Sequence, residues 1–312
     1  MSTEQAVPAR ADEATLARAQ LLQSILSRPV QVFQPEVHKR SAGLAEKIPR
    51  WLVALLLSVI AVGLLLPQYF ELGYALIPLA QPQPLKAPGV ELYNAVEGLS
   101  PGNTVLIAFE YGPAEAEELN TILHPLLVHL TEHEARISIA STQPEGLGIA
   151  ETVRRDVEFT LMDTQALTNT ASLSIVDYQA RHYLPGRATG IAQLLSNPDT
   201  QPQLILVLAG RPAPLRWWIE QTTALQPSTP VVAGLSAALE PFVSPYTDPT
   251  EGQLVGALVG INDAASYEAH RNTEGVASQQ LDVLAAGQIA IAGLILAGAI
   301  IYLFGGSRRR AK

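Results

Sequence analysis

"TVLIAFEYGPAEAEELNTILHPLLVHLTEHEARISIAST" (residues 104–142) decides the fold class. It opens on a continuous apolar run, TVLIAFEY, bounded by turn residues, as expected of a strand buried on both faces. Pro113 then starts a helix in which Leu119, Ile122, Leu123, Leu126, Leu127 and Leu130 share one face. RISIAST (136–142) reads as a second strand. A strand, a helix and a second strand at this spacing predict a right-handed crossover between parallel neighbours.

The pattern continues outward. A helix carries Ile149, Val153, Val157 and Leu161, and SLSIVDY (172–178) is a weak third strand. Gly190 to Leu195 is a short helix, and QLILVLAG (203–210) a strong strand. A helix around PLRWWIEQ (214–221) follows, then PVVAGLSA (230–237) as the last strand. GQLVGALVGINDAASYE (252–268) reads as a closing helix with Gly256, Gly260 and Ala264 on one small-residue ridge. The adjacent Trp217 and Trp218 point about 100° apart on a helix and cannot both be core. The expected fold is α/β: a Rossmann-like parallel sheet covered on both faces.

Two apolar runs flank this domain. WLVALLLSVIAVGLLL (51–66) extends to a full crossing with Ile48, Pro49, Tyr69 and Phe70, and VLAAGQIAIAGLILAGAIIYLF (283–304) matches the roughly 20 residues that span hydrocarbon. The first has a long segment before it and no clear small-residue cleavage site after it, so it reads as an uncleaved signal anchor. Lys39, Arg40, Lys47 and Arg50 lie on the terminal side of the first run, and Arg308, Arg309, Arg310 and Lys312 on that of the second. Basic residues resist translocation, so both termini are expected in the cytoplasm and the domain outside it, in the plasma membrane.

The expected organisation is a cytoplasmic tail (1–47), a first span (48–70), a membrane-proximal connector (71–102), the exterior domain (103–270), a linker (271–282), a second span (283–304) and a basic tail (305–312). In the tail, Asp12 can cap a short helix carrying Leu16, Leu21, Leu22, Ile25 and Leu26, and VELYNAVEGL (90–99) reads as a short helix in the connector. Residues 67–282 hold nine Lys/Arg against 24 Asp/Glu, which argues against nucleic acid as a partner. The chain has no cysteine, so neither a disulfide nor a thiolate-bound metal is available.

Three stretches carry candidate chemistry. HLTEH (129–133) has the ligand order of H-x-x-E-H metalloproteases, with His129 and His133 on one helix face. It falls at the end of the crossover helix, where imidazole also complements the helix dipole, and Glu134, Glu145 and Glu151 are the nearby acids that could complete a ligand set. With no second motif, no metal is expected. GLSAA (234–238) resembles a nucleophile elbow at Ser236, with Asp248 or Asp263 and His270 in triad order, but no following strand positions these partners, and no catalytic set is assigned. YLPGRATG (183–190) leads into a helix N-terminus, where free N–H groups attract anions. Gly186 and Arg187, together with Glu110, Ser141 and Arg211 at the strands' C-terminal ends, form the expected ligand-binding edge, with no cofactor implied.

YLPG with its following Gly-Ile, LILVLAG, and QLVGALVGINDAASYE together resemble a family of two-span prokaryotic membrane proteins with one α/β domain between terminal spans. The resemblance covers roughly residues 100–270 and implies architecture but no activity. The expected role is therefore a non-enzymatic scaffold. Its partners would be the lipid bilayer and a second protein or copy, met through small-residue helix faces. An exterior small-ligand receptor or hydrolase, with its site at the sheet's C-terminal edge, is the alternative.

Overall fold

The computed structural model describes residues 13–26, 57–58, 83–168, 178–248, 252–273 and 275–307. The first apolar run apart from residues 57–58, residues 71–82 of the connector and residues 308–312 of the basic tail lie outside these residues. Residues 1–49 form a unit of their own, containing helix α1 (Glu13–Leu26), on which Leu16, Leu21 and Leu22 are exposed.

In the second unit, α2 (Ala87–Glu97) precedes β1 (Thr104–Glu110), α3 (Ala116–Glu132), β2 (Arg136–Ser141), α4 (Gly146–Thr168), β3 (Tyr178–Tyr183) and α5 (Ala188–Leu195). Then come β4 (Leu204–Ala209), α6 (Pro212–Leu225), β5 (Val231–Leu235), short helical turns over 237–247, β6 (Gly256–Val259), α7 (Gly260–His270) and α8 (Val276–Ser307). The six strands are all parallel, in the order β3-β2-β1-β4-β5-β6. This is the strand order of the doubly wound α/β sheet, with its topological switch between β1 and β4.

Alternation along each strand divides the core in two. Val105, Ile107 and Phe109 pack with Leu119, Ile122, Leu126 and Tyr267 on one face. Leu106 and Ala108 pack with Ile191, Leu215, Trp218 and Ile219 on the other. Burying both faces is what makes β1 and β4 read as unbroken apolar runs.

Three expectations change. The third strand occupies 178–183, with 172–177 outside the described residues; YQARHY is an edge strand whose alternate residues face solvent. The closing helix 252–268 is instead strand β6 followed by α7, so a strand does follow Ser236. Gly256 sits in that strand, where a Cβ would lie 2.3 Å from Leu92 N and 2.5 Å from Pro88 O, so the glycine admits the α2 backbone. Gly260, at φ +71°, makes the turn into α7. The small-residue ridge thus serves backbone approach and a turn rather than one helix face.

The linker 271–282 also shrinks, because α8 begins at Val276. The carboxylate of Glu268, 1% exposed, accepts hydrogen bonds from Ala277 N (3.1 Å), Ser278 N (2.9 Å) and Ser278 Oγ (2.5 Å). These are the N–H groups a helix start leaves without intrahelical partners, and negative charge there complements the dipole. Burial pushes the Glu268 carboxyl up, and the donors from Ser278, Ala277 and Gly275 oppose it. From this cap α8 runs back along α7: Val283 and Leu284 share a groove with Ile261 at the start of α7. It leaves the domain past the edge where the strands end.

Replacing Gly256 with Ala is expected to cost about 2–3 kcal/mol, since the obstructing atoms are backbone and cannot rotate away. Gly148→Ala, in α4, places its new methyl where no atom lies within 4 Å, and is expected to be neutral or to stabilise by up to about 1 kcal/mol. Thermal unfolding of the two variants checks the pair.

Candidate functional site

Open α/β sheets bind ligands in the crevice beyond the strand C-termini at the switch point, here between the loops after β1 and β4. In nucleotide-binding members the first helix N-terminus presents N–H groups to a pyrophosphate. Here the chain's own carboxylates line that end of α3 and bind donors of the neighbouring loops. Glu115 Oε2 accepts Gly112 N–H at 3.1 Å, and a Cβ at Gly210 would lie 2.7 Å from Glu115 Cγ. Glu118 accepts Ser236 Oγ–H (2.6 Å) and Ala237 N–H (2.8 Å) across the sheet end. With Glu117 also in the first turn of α3, the electrostatics repel a phosphate.

The ligand-binding residues expected from sequence divide into two groups. Glu110, wholly buried, accepts Thr142 N–H (3.0 Å), Thr142 Oγ1–H and Trp218 Nε1–H (2.9 Å). Burial pushes its carboxyl up, while these donors and Arg211 pull it down. Arg211 Nη2 donates to Gln143 Oε1 at 2.7 Å, so Glu110 and Arg211 are joined through the Thr142–Gln143 turn. Ser141 Oγ donates to Phe109 O (2.6 Å) and closes the same turn. Gly186 and Arg187 lie elsewhere, at the start of α5: the Arg187 guanidinium rests 5.8 Å over the ring of Trp217 in α6, next to the buried Trp218. A groove of about 560 Å³ on the C-terminal edge is lined by Ala114, Glu115, Glu118, Ile261, Val283 and Leu284 among others, and by none of Glu110, Gly186, Arg187 and Arg211.

The triad order at Ser236 does not become a triad. Asp263 Oδ2 accepts Val259 N–H at 3.0 Å, and its Oδ1 lies 3.4 Å from Lys86 Nζ. His270, at the far end of α7, meets the Tyr93 ring edge-on with centroids 4.7 Å apart. Ser236 is bound to Glu118 at the opposite sheet edge.

The H-x-x-E-H histidines sit at the N-terminal edge, as their position in the crossover helix implies. What the sequence did not reveal is their neighbour. Glu97, at the end of α2, brings Oε1 to 3.3 Å from His129 Nε2 and Oε2 to 3.6 Å from His133 Nε2. His129 Nδ1 lies 2.6 Å from Tyr267 Oη, and Tyr93 Oη donates to Glu97 Oε1 at 2.7 Å. The Tyr93 ring stacks on His129 with centroids 5.3 Å apart. Burial lowers the His129 pKa to about 4, with Arg271 and His133 adding to the effect. The Tyr93 hydrogen bond, and then the two imidazoles, lower that of Glu97. Glu151, one of the acids expected as a third ligand, instead pairs with Arg154 at 2.8 Å. Glu132, the acid within the motif, pairs with Arg271.

No family model matches the chain. No curated protein and no solved structure matches it either. The chemistry is therefore read from the residues, and Glu110 offers a direct check. Glu110→Ala orphans Trp218 Nε1 and the Thr142 N–H in the core and is expected to destabilise by about 2–4 kcal/mol. Glu110→Gln keeps an acceptor and is expected to cost less than about 1 kcal/mol near pH 5. A carboxyl whose folded pKa is raised favours the fold fully below its unfolded pKa, and that contribution is lost as pH rises through the folded value. Relative to wild type, the Gln variant should therefore gain stability as pH rises above about 4.3, the ordinary Glu value. Melting curves across about pH 4–8 read this difference.

Proposed function

We propose that the chain is a two-pass integral membrane protein, with both termini cytoplasmic. Its exterior α/β domain binds a partner protein or a second copy of itself and performs no chemistry of its own. The observation that carries this reading is α8. It is a single helix, Val276–Ser307, whose first turns are buried on the domain and whose Leu284, Ile289, Ile291, Ile295 and Leu296 are exposed. Among the described residues it is the one helix long and apolar enough to cross a membrane. An exposed apolar surface of this extent is tolerated in lipid or against another protein.

The chain's path supports an orientation. Lys86, just before α2, pairs with Glu240 at 2.9 Å beside the strand C-termini. The connection to the first apolar run therefore leaves from the same sheet edge as α8, and that edge would face the bilayer. At that edge Gly112 N–H after β1 and Ala237 N–H after β5 are taken by Glu115 and Glu118, which supports a non-enzymatic role.

Assembly is assigned to the face of α8 traced by Ala286, Ala290, Gly293 and Ala297, because small residues permit the close packing that drives helix association in lipid. Gly293→Leu is expected to abolish in-membrane crosslinking, to a second copy or to a co-purifying protein. Unchanged crosslinking would remove the assembly reading.

A second reading rests on the groove beside α8. At about 560 Å³ it is of ligand size, and Glu115, Glu117 and Glu118 would favour a cationic amphipathic molecule. Such a ligand should protect Leu284→Cys from thiol reagents, whereas a helix–helix assembly that leaves the groove open should not.

Topology has its own test, made clean by the absence of native cysteine. Ser2→Cys, Ser100→Cys and Ser307→Cys variants are treated with an impermeant thiol reagent on intact cells. Labelling is expected at Ser100→Cys alone; labelling at the other two positions instead would turn the domain inward.

A further inference from the structure

Glu97, His129 and His133 present one carboxylate oxygen and two imidazole nitrogens, all within 4.8 Å of one another. An ion bound tetrahedrally at about 2.0–2.1 Å from each donor separates neighbouring donors by about 3.3 Å. Glu97 Oε1 lies 3.3 Å from His129 Nε2, close to that edge length, while the 3.6 Å approach to His133 Nε2 is made by the other oxygen, Oε2. With one donor atom from each residue the set closes within 4.8 Å, and an ion would draw it together. We propose that these three side chains bind a divalent transition-metal ion of the zinc class, with the fourth position open to water.

The surroundings are those of a held ligand set. His129 is 2% exposed, and its outer nitrogen Nδ1 meets Tyr267 Oη, so the tautomer protonated at Nδ1 turns the Nε2 lone pair toward Glu97. Tyr93 holds the Glu97 carboxylate through Oε1 and stacks on the His129 ring. Such outer partners orient metal ligands and raise their affinity. His133 and Glu97 are 23% and 44% exposed, which gives an ion a path in and leaves room for water. Two nitrogens and one oxygen suit zinc, cobalt or nickel, and not magnesium or calcium, which take oxygen donors.

The ion would join the last turn of α2 to the last turn of α3. It would not make the site a peptidase of the H-x-x-E-H kind. Glu132, which holds the base position in that motif, is paired with Arg271, whose Nη1 also donates to Pro125 O at 3.3 Å. The ion is therefore assigned to fastening α2 onto the domain.

The test uses the full chain in mild detergent, stripped with chelator and titrated with zinc alone, with bound metal counted by elemental analysis. One equivalent is expected, together with a rise in melting temperature that chelator reverses. Tyr267→Phe should weaken binding by about 10–100-fold. Glu97→Gln and His133→Ala, at partly exposed positions, should weaken it further while leaving the metal-free melting temperature within a few degrees. Cobalt(II) should give the intense visible bands of a tetrahedral site in wild type and lose them in both variants. Wild-type protein that takes up no stoichiometric zinc overturns the proposal. So does zinc retained equally by Glu97→Gln and His133→Ala, or displaced by millimolar magnesium. In each of those cases the cluster is a hydrogen-bonded network in which His129 Nε2–H donates to Glu97.

Discussion

The carboxylate of Glu268 fixes where the apolar helix begins and how it is joined to the sheet. An α-helix start leaves four N–H groups without intrahelical partners, and burying them against a domain is costly unless acceptors meet them. Glu268 meets Ala277 and Ser278 from the end of α7, and Gly275 makes room: a Cβ there would lie 2.4 Å from its Oε1. A flexible linker would let the domain tumble relative to α8. A buried, charge-assisted cap, with Ala277 and Ser278 themselves in the core, fixes the direction in which α8 departs. The orientation proposed for the domain follows from this contact.

The two edges of the sheet carry opposite chemistry. At the strand C-termini, Glu110, Glu115 and Glu118 accept donors from their own chain, and the groove beside them is lined by acid. At the N-terminal edge, two imidazoles and a carboxylate converge with their reactive atoms turned toward one point. The usual rule looks for function at the first edge. In this chain the coordination chemistry lies at the second.

Sequence legibility followed burial. β1, β4 and β5 were readable because both of their faces are covered, leaving runs of Val, Leu, Ile and Ala with little polar interruption. β6 was not. GALV is four residues long, and its Gly256 and Ala257 are small for steric reasons that helix and strand share, while the next glycine imitates helical spacing. β3 was displaced because YQARHY is a half-exposed edge strand, and edge strands lack the apolar signal. The site shows the same division. That Trp217 and Trp218 would not both be core followed from helix geometry, and the structure places Trp218 inside; the Ser236, Asp263 and His270 order dissolved once α7 separated its members. Glu97 could not be seen, because 32 residues and the strand β1 separate it from His129 and only the folded arrangement of α2 and α3 joins them. A search among nearby acids was bound to miss it.

In the proposed orientation the acidic edge also sets how close the domain can come to lipid. The buried residues of α8 extend to Ala285, and the uncharged run begins at Val283, directly after Asp282. No spacer remains between the fold and the hydrocarbon, because 22 residues at 1.5 Å each give about 33 Å, close to the core thickness of a bilayer. The groove holding Glu115, Glu117 and Glu118 shares Val283 and Leu284, so its carboxylates stand at headgroup level. Anionic lipid would repel them, and amine headgroups or a basic partner segment would not. The capped helix has no freedom to extend or fold. In that proposed orientation the domain's height above the membrane would be set by the Glu268 contact, and the charge it presents to the interface by α3.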